Sequence, residues 1–92
     1  MELDELRKKI DEIDKGLVDL FQKRMDISKD IAIYKQKNNL PIYDPVRENQ
    51  KLTELKSTIK EDYQSYLESL YLLLFELSRK RQEEILSSLE LD

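Results

Sequence analysis

The apolar residues in the first third of the chain recur at alternating steps of three and four positions. They are Leu3, Leu6, Ile10, Ile13, Leu17 and Leu20, followed after one gap by Ile27, Ile31 and Tyr34. Such a repeat, sustained over about four heptads, is typical of one long amphipathic helix and is produced by neither a strand nor a loop. We expect this helix to span residues 3–39, because Asn38, Asn39 and Pro41 are typical of a helix end.

A helix of this length is too long for a compact monomer of 92 residues. At a rise of ~1.5 Å per residue it extends over ~54 Å, whereas a compact domain of this size has a radius of gyration of only ~12 Å. The apolar stripe continues along the whole helix, so another surface must cover the part that overhangs. A second copy is the simplest cover, and two-fold symmetry is the commonest arrangement. We therefore expect a homodimer.

Two further helices follow the first. Asp44 and Pro45 are typical of an N-cap and a first helical residue, which predicts a second helix over residues 45–60. A third helix is expected over residues 64–89, where Ser65 opens a capping-box pattern. The chain has one glycine and two prolines, fewer turn residues than strands and hairpins need. The predicted fold class is therefore all-α, with three helices in each chain.

Composition excludes several classes of function. The net charge of −4 argues against nucleic acid or an anionic membrane surface as a partner. Cysteine and histidine are both absent, which excludes disulfides, thiolate zinc sites and the usual general base near neutral pH. No apolar run is long enough to span a membrane, and residues 1–6 are acidic where a signal peptide would be basic and then apolar. We expect a single cytoplasmic domain over residues 1–92.

Polar residues interrupt the apolar face of every predicted helix. In the first helix, Arg24 occupies the one position of the heptad stripe that lacks an apolar residue. In the second, Glu48 occupies the next position when the apolar face is continued toward the N-terminus, and in the third, Ser78 and Gln82 interrupt the face. A single interruption often only fixes register or oligomeric state, and for Arg24 alone that explanation is equally good. Interruptions in all three helices are harder to explain in this way, because burying polar groups without partners costs several kcal/mol in total.

Three cations of the first helix are candidates for an anion site. Lys35 lies three turns after Arg24 and only ~20° around the helix, and neither has an acid three or four positions away. For Lys35 alone, a solvated lysine that offsets the helix dipole is the commoner case. Arg7 lies ~25 Å from Arg24 along the helix, so it reaches the same site only from the partner of an antiparallel dimer. A surface pair with Asp4 or Asp11 is its more common alternative.

Arg47 is a weaker candidate in the first turn of the second helix. A cation there opposes the helix dipole unless an anion lies beside it, and a surface arginine that pairs with Asp44 or with the acidic neighbours of Lys51 is the alternative. The full candidate set is Arg7, Arg24, Lys35, Asp44, Arg47, Glu48, Ser78 and Gln82.

These candidates fall in segments that resemble the all-helical class of chorismate mutases, chorismate mutase type II. The segments are LRKKIDEID at 6–14, KRM at 23–25, IYK at 33–35, DPVRE at 44–48 and SRKRQ at 78–82. No single segment is specific, but their order, spacing and helical phase together are. The resemblance covers the chain from about residue 3 to 86, with no departure at any position that the family uses in its site.

The resemblance implies an intertwined homodimer with two equivalent sites, each lined by the three helices of one protomer and by the partner's Arg7. The implied reaction is the intramolecular rearrangement of chorismate to prephenate in phenylalanine and tyrosine biosynthesis, which needs no metal and no cofactor. By the same resemblance, the partner's Arg7 and Arg24 would bind the two carboxylates of chorismate. Arg47 and Ser78 would complete the contacts to carboxylate and hydroxyl.

The resemblance also implies which residues act on the reacting atoms. Lys35 and Gln82 would donate hydrogen bonds to the ether oxygen of the breaking bond. Glu48 and the backbone around Asp44 would hold the ring hydroxyl. Positioning and electrostatic stabilisation of this kind suit a chain that has neither histidine nor cysteine.

Two alternatives compete with the mutase. An isochorismate-pyruvate lyase resembles this fold and shares the cationic residues, but it does not keep an acid equivalent to Glu48, so Asp44, Glu48 and Ser78 together favour the mutase. A non-catalytic dimerisation or regulatory module needs only the heptad repeat of the first helix. It leaves Glu48, Ser78 and Gln82 unexplained.

Overall fold

The computed structural model describes residues 2–90, and within that range the chain is all-α, as predicted. It has three helices, α1 (Leu3–Lys37), α2 (Pro45–Lys56) and α3 (Gln64–Glu90), and one 3₁₀ turn at Glu61–Tyr63. Residues 1, 91 and 92 of the expected domain lie outside the described range. None of the helices in that range combines the length and the apolar character needed to cross a bilayer.

The end of α1 lies two residues before the predicted one. Asn38 is the C-cap, and its side-chain Nδ2 donates to the carbonyl of Tyr34 at 2.9 Å. Asn39 then has a left-handed backbone with φ of 54°, a conformation that asparagine tolerates better than most residues. The two asparagines therefore stop the helix and turn the chain toward α2.

The start of α2 is the predicted one. Pro45 is its first residue, and Oδ1 of the N-cap Asp44 accepts a hydrogen bond from the backbone N–H of Arg47 at 3.0 Å. Proline lacks an N–H that would otherwise need a partner there. This local geometry places the residues after Pro45 on the first turn of α2.

The predicted end of α2 at residue 60 is wrong, because the helix ends at Lys56. The hydroxyl groups of Ser57 and Thr58 donate to the carbonyls of Glu54 and Leu55 at 2.6 and 2.7 Å. Such short-range bonds compete with continuation of the helical hydrogen-bond ladder. They end the helix one turn earlier than its apolar pattern does.

The capping box predicted at Ser65 is also wrong. The 3₁₀ turn brings the chain into helical conformation before that residue, so Ser65 lies inside α3. The preceding residue, Gln64, donates from Nε2 to the carbonyl of Lys56 at 2.9 Å. This bond ties the start of α3 to the end of α2.

The packed part of the molecule is small. Helices α1 and α2 both pack against α3, and the side chains buried there are Ser28, Ala32, Phe75 and Gln82. Ala32 and Phe75 are the only buried apolar side chains in the described range. The radius of gyration is 16.7 Å and the longest extent 55 Å, well beyond the ~12 Å radius of a compact domain of this length.

The N-terminal half of α1 extends away from this packed region with its apolar stripe uncovered. Its members, from Leu6 to Leu20, are between 43% and 62% exposed. Gly16 lies in the same half, and a Cβ placed on it would meet no atom of the described residues within 4 Å. The protomer therefore offers no steric reason for glycine at this position.

Candidate active site

A cavity of about 290 Å³ lies between the three helices, and it is lined by seven of the eight candidate residues. They come from the second half of α1, the first turn of α2 and the middle of α3. They are Arg24, Lys35, Asp44, Arg47, Glu48, Ser78 and Gln82. The fold therefore brings together seven of the eight side chains that the sequence pattern singled out.

Arg24 and Lys35 reach this cavity from the same face of α1, as their spacing predicted. Both are half-buried. The guanidinium carbon of Arg24 lies 6.0 Å from the ring centre of Tyr71, and Nζ of Lys35 donates to the carbonyl of Ile42 at 2.8 Å. Lys35 is therefore held in place by the loop between α1 and α2 and is not the free surface lysine of the alternative explanation.

Asp44, Arg47 and Glu48 reach the cavity from the start of α2. The carboxylate of Asp44 accepts from the backbone N–H of Arg47. The side chain of Arg47 lines the cavity and is otherwise exposed. Asp44 thus has a structural role as an N-cap, and Arg47 does not form the surface ion pair with it that was the alternative.

The cavity carries positive charge that the protomer does not neutralise. Among residues 2–90, no ion pair involves Arg24, Lys35 or Arg47. Two acids also line the cavity: Glu48 is already paired with Arg79, and Asp44 accepts from the backbone N–H of Arg47 as an N-cap. Charges left without partners in a concave, partly buried site are suited to a ligand with more than one negative charge.

Arg79 is the main site residue that sequence reasoning missed. Its guanidinium donates to Oε2 of Glu48, and its Cζ lies 4.8 Å from the ring centre of Tyr43. The hydrogen bond to Glu48 raises the pKa of Arg79 above the usual arginine value, so this group stays charged at every physiological pH. Arg79 lies four positions after Phe75 and three before Gln82, and that helical spacing was the available signal.

The signal was hidden by acids nearby on the same helix. Glu76 and Glu83 lie three before and four after Arg79, which is typical of a surface arginine with local partners. Arg79 instead forms its hydrogen bond with Glu48 on α2.

Gln82 is the most deeply buried of the candidates, with 5% of its surface exposed. Its Nε2 donates to Oγ of Ser78 at 3.2 Å, and that oxygen lies 2.8 Å from Oγ of Ser28. Oε1 of Gln82 is buried and has no hydrogen-bond partner in the described part of the chain. A serine inside a helix gives no distinctive sequence signal, so Ser28, which also lines the cavity, was missed as well.

Arg7 lies outside this cavity, on the exposed half of α1. It lines a separate depression with Leu3, Leu6, Ile10 and Asp11. No ion pair joins it to an acid within residues 2–90, so its alternative role as a surface pair is not observed. As predicted from the helical rise, it does not reach Arg24 of its own chain.

Comparison with known proteins places this geometry in a family. The family described as chorismate mutase type II matches residues 6–83. The chain is 41% identical over 59 residues to a chorismate mutase of Methanocaldococcus jannaschii, covering 64% of this chain and 60% of that one. It is 42% identical over 62 residues to a bifunctional chorismate mutase/prephenate dehydratase of Aquifex aeolicus, covering 67% of this chain and 17% of that one.

A solved structure is similar over nearly the whole fold. It is the chorismate mutase from Helicobacter pylori in complex with prephenate, which superposes with a TM-score of 0.84 at 38% identity and covers 92% of this chain and 93% of that one. The family match extends over all three helices and includes every lining residue of the cavity. The chain belongs to the chorismate mutase type II family.

Proposed function

We propose that this protein is an isomerase that rearranges chorismate to prephenate. The observation that carries the proposal is the cavity in which Arg24, Lys35 and Arg47 have no acidic partner among residues 2–90. Chorismate carries two carboxylates, so it supplies the negative charges that this cavity lacks. The similarity to a Helicobacter pylori enzyme solved with prephenate supports the same substrate class.

The reaction suits the residues available. One C–O bond of the ether breaks and one C–C bond forms within the same molecule, and no proton, electron pair or group passes to the protein. A chain without cysteine or histidine can therefore perform it. Its task is to hold the enolpyruvyl group folded over the ring, which converts binding energy into a reactive geometry.

The carboxylates are the groups that fix this geometry. We assign one to Arg24 and one to the partner's Arg7, with Arg47 and Ser78 completing the polar contacts. A guanidinium binds a carboxylate through two parallel hydrogen bonds, which sets its orientation as well as its position. Two such contacts on one substrate restrict the rotations that separate its extended form from the folded one.

Lys35 and Gln82 are assigned to the ether oxygen, which gains negative charge as the C–O bond lengthens. An ammonium group has three N–H donors, and the one that Lys35 gives to Ile42 leaves two for a ligand. Because that bond also fixes the position of the ammonium group, the side chain needs little reorganisation when negative charge develops on the ether oxygen. Donors oriented in advance are the most effective in stabilising such charge.

Glu48 is assigned to the ring hydroxyl, together with the backbone around Asp44. Oε2 of Glu48 accepts from Arg79, and its second oxygen can still accept a bond from a hydroxyl. The pairing with Arg79 also reduces the repulsion between this carboxylate and an anionic substrate.

We further propose an intertwined homodimer in which each site is completed by Arg7 of the partner subunit. The uncovered apolar stripe on α1 and the scarcity of buried apolar side chains in one protomer support it. Contiguous apolar surface of this extent is typical of protein interfaces. An antiparallel arrangement of two α1 helices carries the N-terminal half of each toward the cavity of the other.

We infer a single cytoplasmic domain over residues 1–92 that acts in phenylalanine and tyrosine biosynthesis. The similarity to a bifunctional chorismate mutase/prephenate dehydratase supports the pathway. The absence of cysteine suits a reducing compartment, where disulfides are not used.

The proposal is tested by adding the protein to chorismate, following the loss of chorismate absorbance and identifying the product. We expect prephenate and no pyruvate. Pyruvate released from isochorismate would support the lyase instead, and unchanged chorismate would support the non-catalytic module.

A further inference from the structure

Two serine hydroxyls connect the buried amide of Gln82 to α1. Ser28 of α1 is 2% exposed and Gln82 of α3 is 5% exposed. Oγ of Ser78 lies between them, 3.2 Å from Nε2 of Gln82 and 2.8 Å from Oγ of Ser28. Oγ of Ser28 in turn donates to the carbonyl of Arg24 at 3.1 Å.

These bonds have one direction in this structure. The hydrogen of the Ser28 hydroxyl is used on the Arg24 carbonyl, so Ser78 must donate to Ser28 and can only accept from Gln82. One N–H of the amide is thereby directed at Ser78 and away from any ligand. Oε1 of Gln82 is left buried with no partner in the described range, which is unfavourable for an amide oxygen.

If the hydrogen bonds run in the opposite direction, Oε1 of Gln82 gains a donor. The carbonyl of Arg24 also has its helical partner, the backbone N–H four residues later, so it does not depend on the Ser28 hydroxyl. Rotating the Gln82 amide by half a turn exchanges Oε1 and Nε2. Ser28 then donates to Ser78, Ser78 donates to Oε1, and Nε2 has both of its hydrogens available to a ligand in the cavity.

We propose that Ser28 is a positioning residue that sets this second direction when substrate is bound. If Ser28 donates to Ser78, the only hydrogen of Ser78 is directed at Gln82, which must then present Oε1 to it and Nε2 to the substrate. Without the Ser28 hydroxyl, Ser78 accepts from the amide as readily as it donates. The inference rests on the proposed role of Gln82 as a donor to the ether oxygen.

The effect of Ser28 falls on kcat more than on KM. The bond from Gln82 strengthens as negative charge gathers on the ether oxygen, and an interaction made mainly in the transition state changes kcat. Ser28 acts only through Gln82, so its contribution must vanish when Gln82 is removed. A serine that merely packs against its neighbours has no such dependence.

The experiment is a double-mutant cycle of Ser28→Ala and Gln82→Ala, measured as kcat and KM for chorismate. Alanine removes only one oxygen and favours the helix. We expect Ser28→Ala to lower kcat about three- to tenfold, the effect of losing one hydrogen bond, with KM little changed. In the Gln82→Ala background the same substitution should cause no further loss. The matched control is Ser69→Ala, because Oγ of Ser69 makes the same kind of bond to a carbonyl four residues earlier, at 3.2 Å on the exposed surface.

The possible results are distinct. An unchanged kcat for Ser28→Ala, or an equal loss with and without Gln82, would overturn the assignment of Ser28. A Gln82→Ala protein with the kcat of the unmodified chain would contradict the proposed role of Gln82, on which the inference rests. An unmodified chain that leaves chorismate unchanged would contradict the proposed function itself.

Discussion

The guanidinium of Arg79 donates a hydrogen bond to Oε2 of Glu48, and this ion pair joins α3 to α2 at the wall of the cavity. The ring of Tyr43 lies against the same guanidinium, with 4.8 Å between Cζ and the ring centre. Glu48 therefore lines the cavity as an acid whose charge is already paired. In the proposed function, Arg79 allows the carboxylate of Glu48 to accept a hydrogen bond from the ring hydroxyl beside two substrate carboxylates.

Replacing Arg79 should weaken substrate binding. In Arg79→Met the carboxylate of Glu48 loses its counter-charge, and at ~10 Å with an effective dielectric of ~20 it repels each substrate charge by about 1–2 kcal/mol. Summed over the two substrate carboxylates this is about 3 kcal/mol, so we expect KM for chorismate to rise on the order of 10²-fold, which steady-state kinetics at fixed ionic strength measures directly. The control is Arg81→Met, because Arg81 pairs with Glu84 at 3.7 Å outside the cavity.

A second substitution separates charge from packing. If repulsion is the cause, adding Glu48→Gln to Arg79→Met should recover part of the lost affinity. An equal or larger KM for the double variant would contradict the electrostatic explanation.

Lys35→Ala should cause the largest loss of turnover among the single substitutions of residues that line the cavity. It removes a positively charged donor from the oxygen that becomes negative in the transition state, and we expect kcat to fall by about 10²–10³. Lys37→Ala is the matched control, because Lys37 is exposed and does not line the cavity. A kcat near that of the unmodified chain would remove Lys35 from the mechanism.

Gln82→Glu should make the activity depend on pH. An amide donates at every pH, whereas a carboxyl donates only while it is protonated. We expect the kcat of the variant to fall as the pH rises through the pKa of the introduced carboxyl. The kcat of the unmodified chain should stay level over the same pH range. Two parallel pH profiles of kcat would show that position 82 donates no hydrogen bond to the reacting atoms.

The exposed stripe on α1 should hold the dimer together. Ile13 lies at its centre and is 61% exposed in the protomer, so a charge there would be buried against the partner at a high cost. We expect Ile13→Asp to shift the sedimentation equilibrium toward monomer and to abolish turnover. Gln22→Asp adds the same charge on the opposite face of α1 and should change neither. A fully dimeric Ile13→Asp protein would show that this stripe is not the interface.

The helices were predictable because their signals are local. The heptad repeat lies within α1 itself, and the Asp44–Pro45 start of α2 and the asparagines after α1 each act over a few residues. The end of α2 was not predictable to the same degree, because the hydroxyls of Ser57 and Thr58 compete with an apolar pattern that continues beyond them.

The site was predictable where a residue conflicts with its surroundings in the sequence. Arg24 and Gln82 interrupt apolar faces, and both line the cavity. Arg79 conflicts with nothing nearby, and its pairing with Glu48 is decided by how α2 packs against α3. Ser28 is small, common and compatible with either a buried or an exposed helix face, so only the tertiary contact with Ser78 distinguishes it.

The most direct test of a site shared between two chains is activity in a mixture of Arg7→Ala and Arg24→Ala proteins that are unfolded and refolded together. If Arg7 acts in the partner's site, each mixed dimer regains one intact site, and random pairing restores about a quarter of the unmodified activity. If both arginines act within one chain, every site in the mixture lacks one of them. Activity no higher than that of the two separate variants, from a mixture shown to contain mixed dimers, would contradict the account.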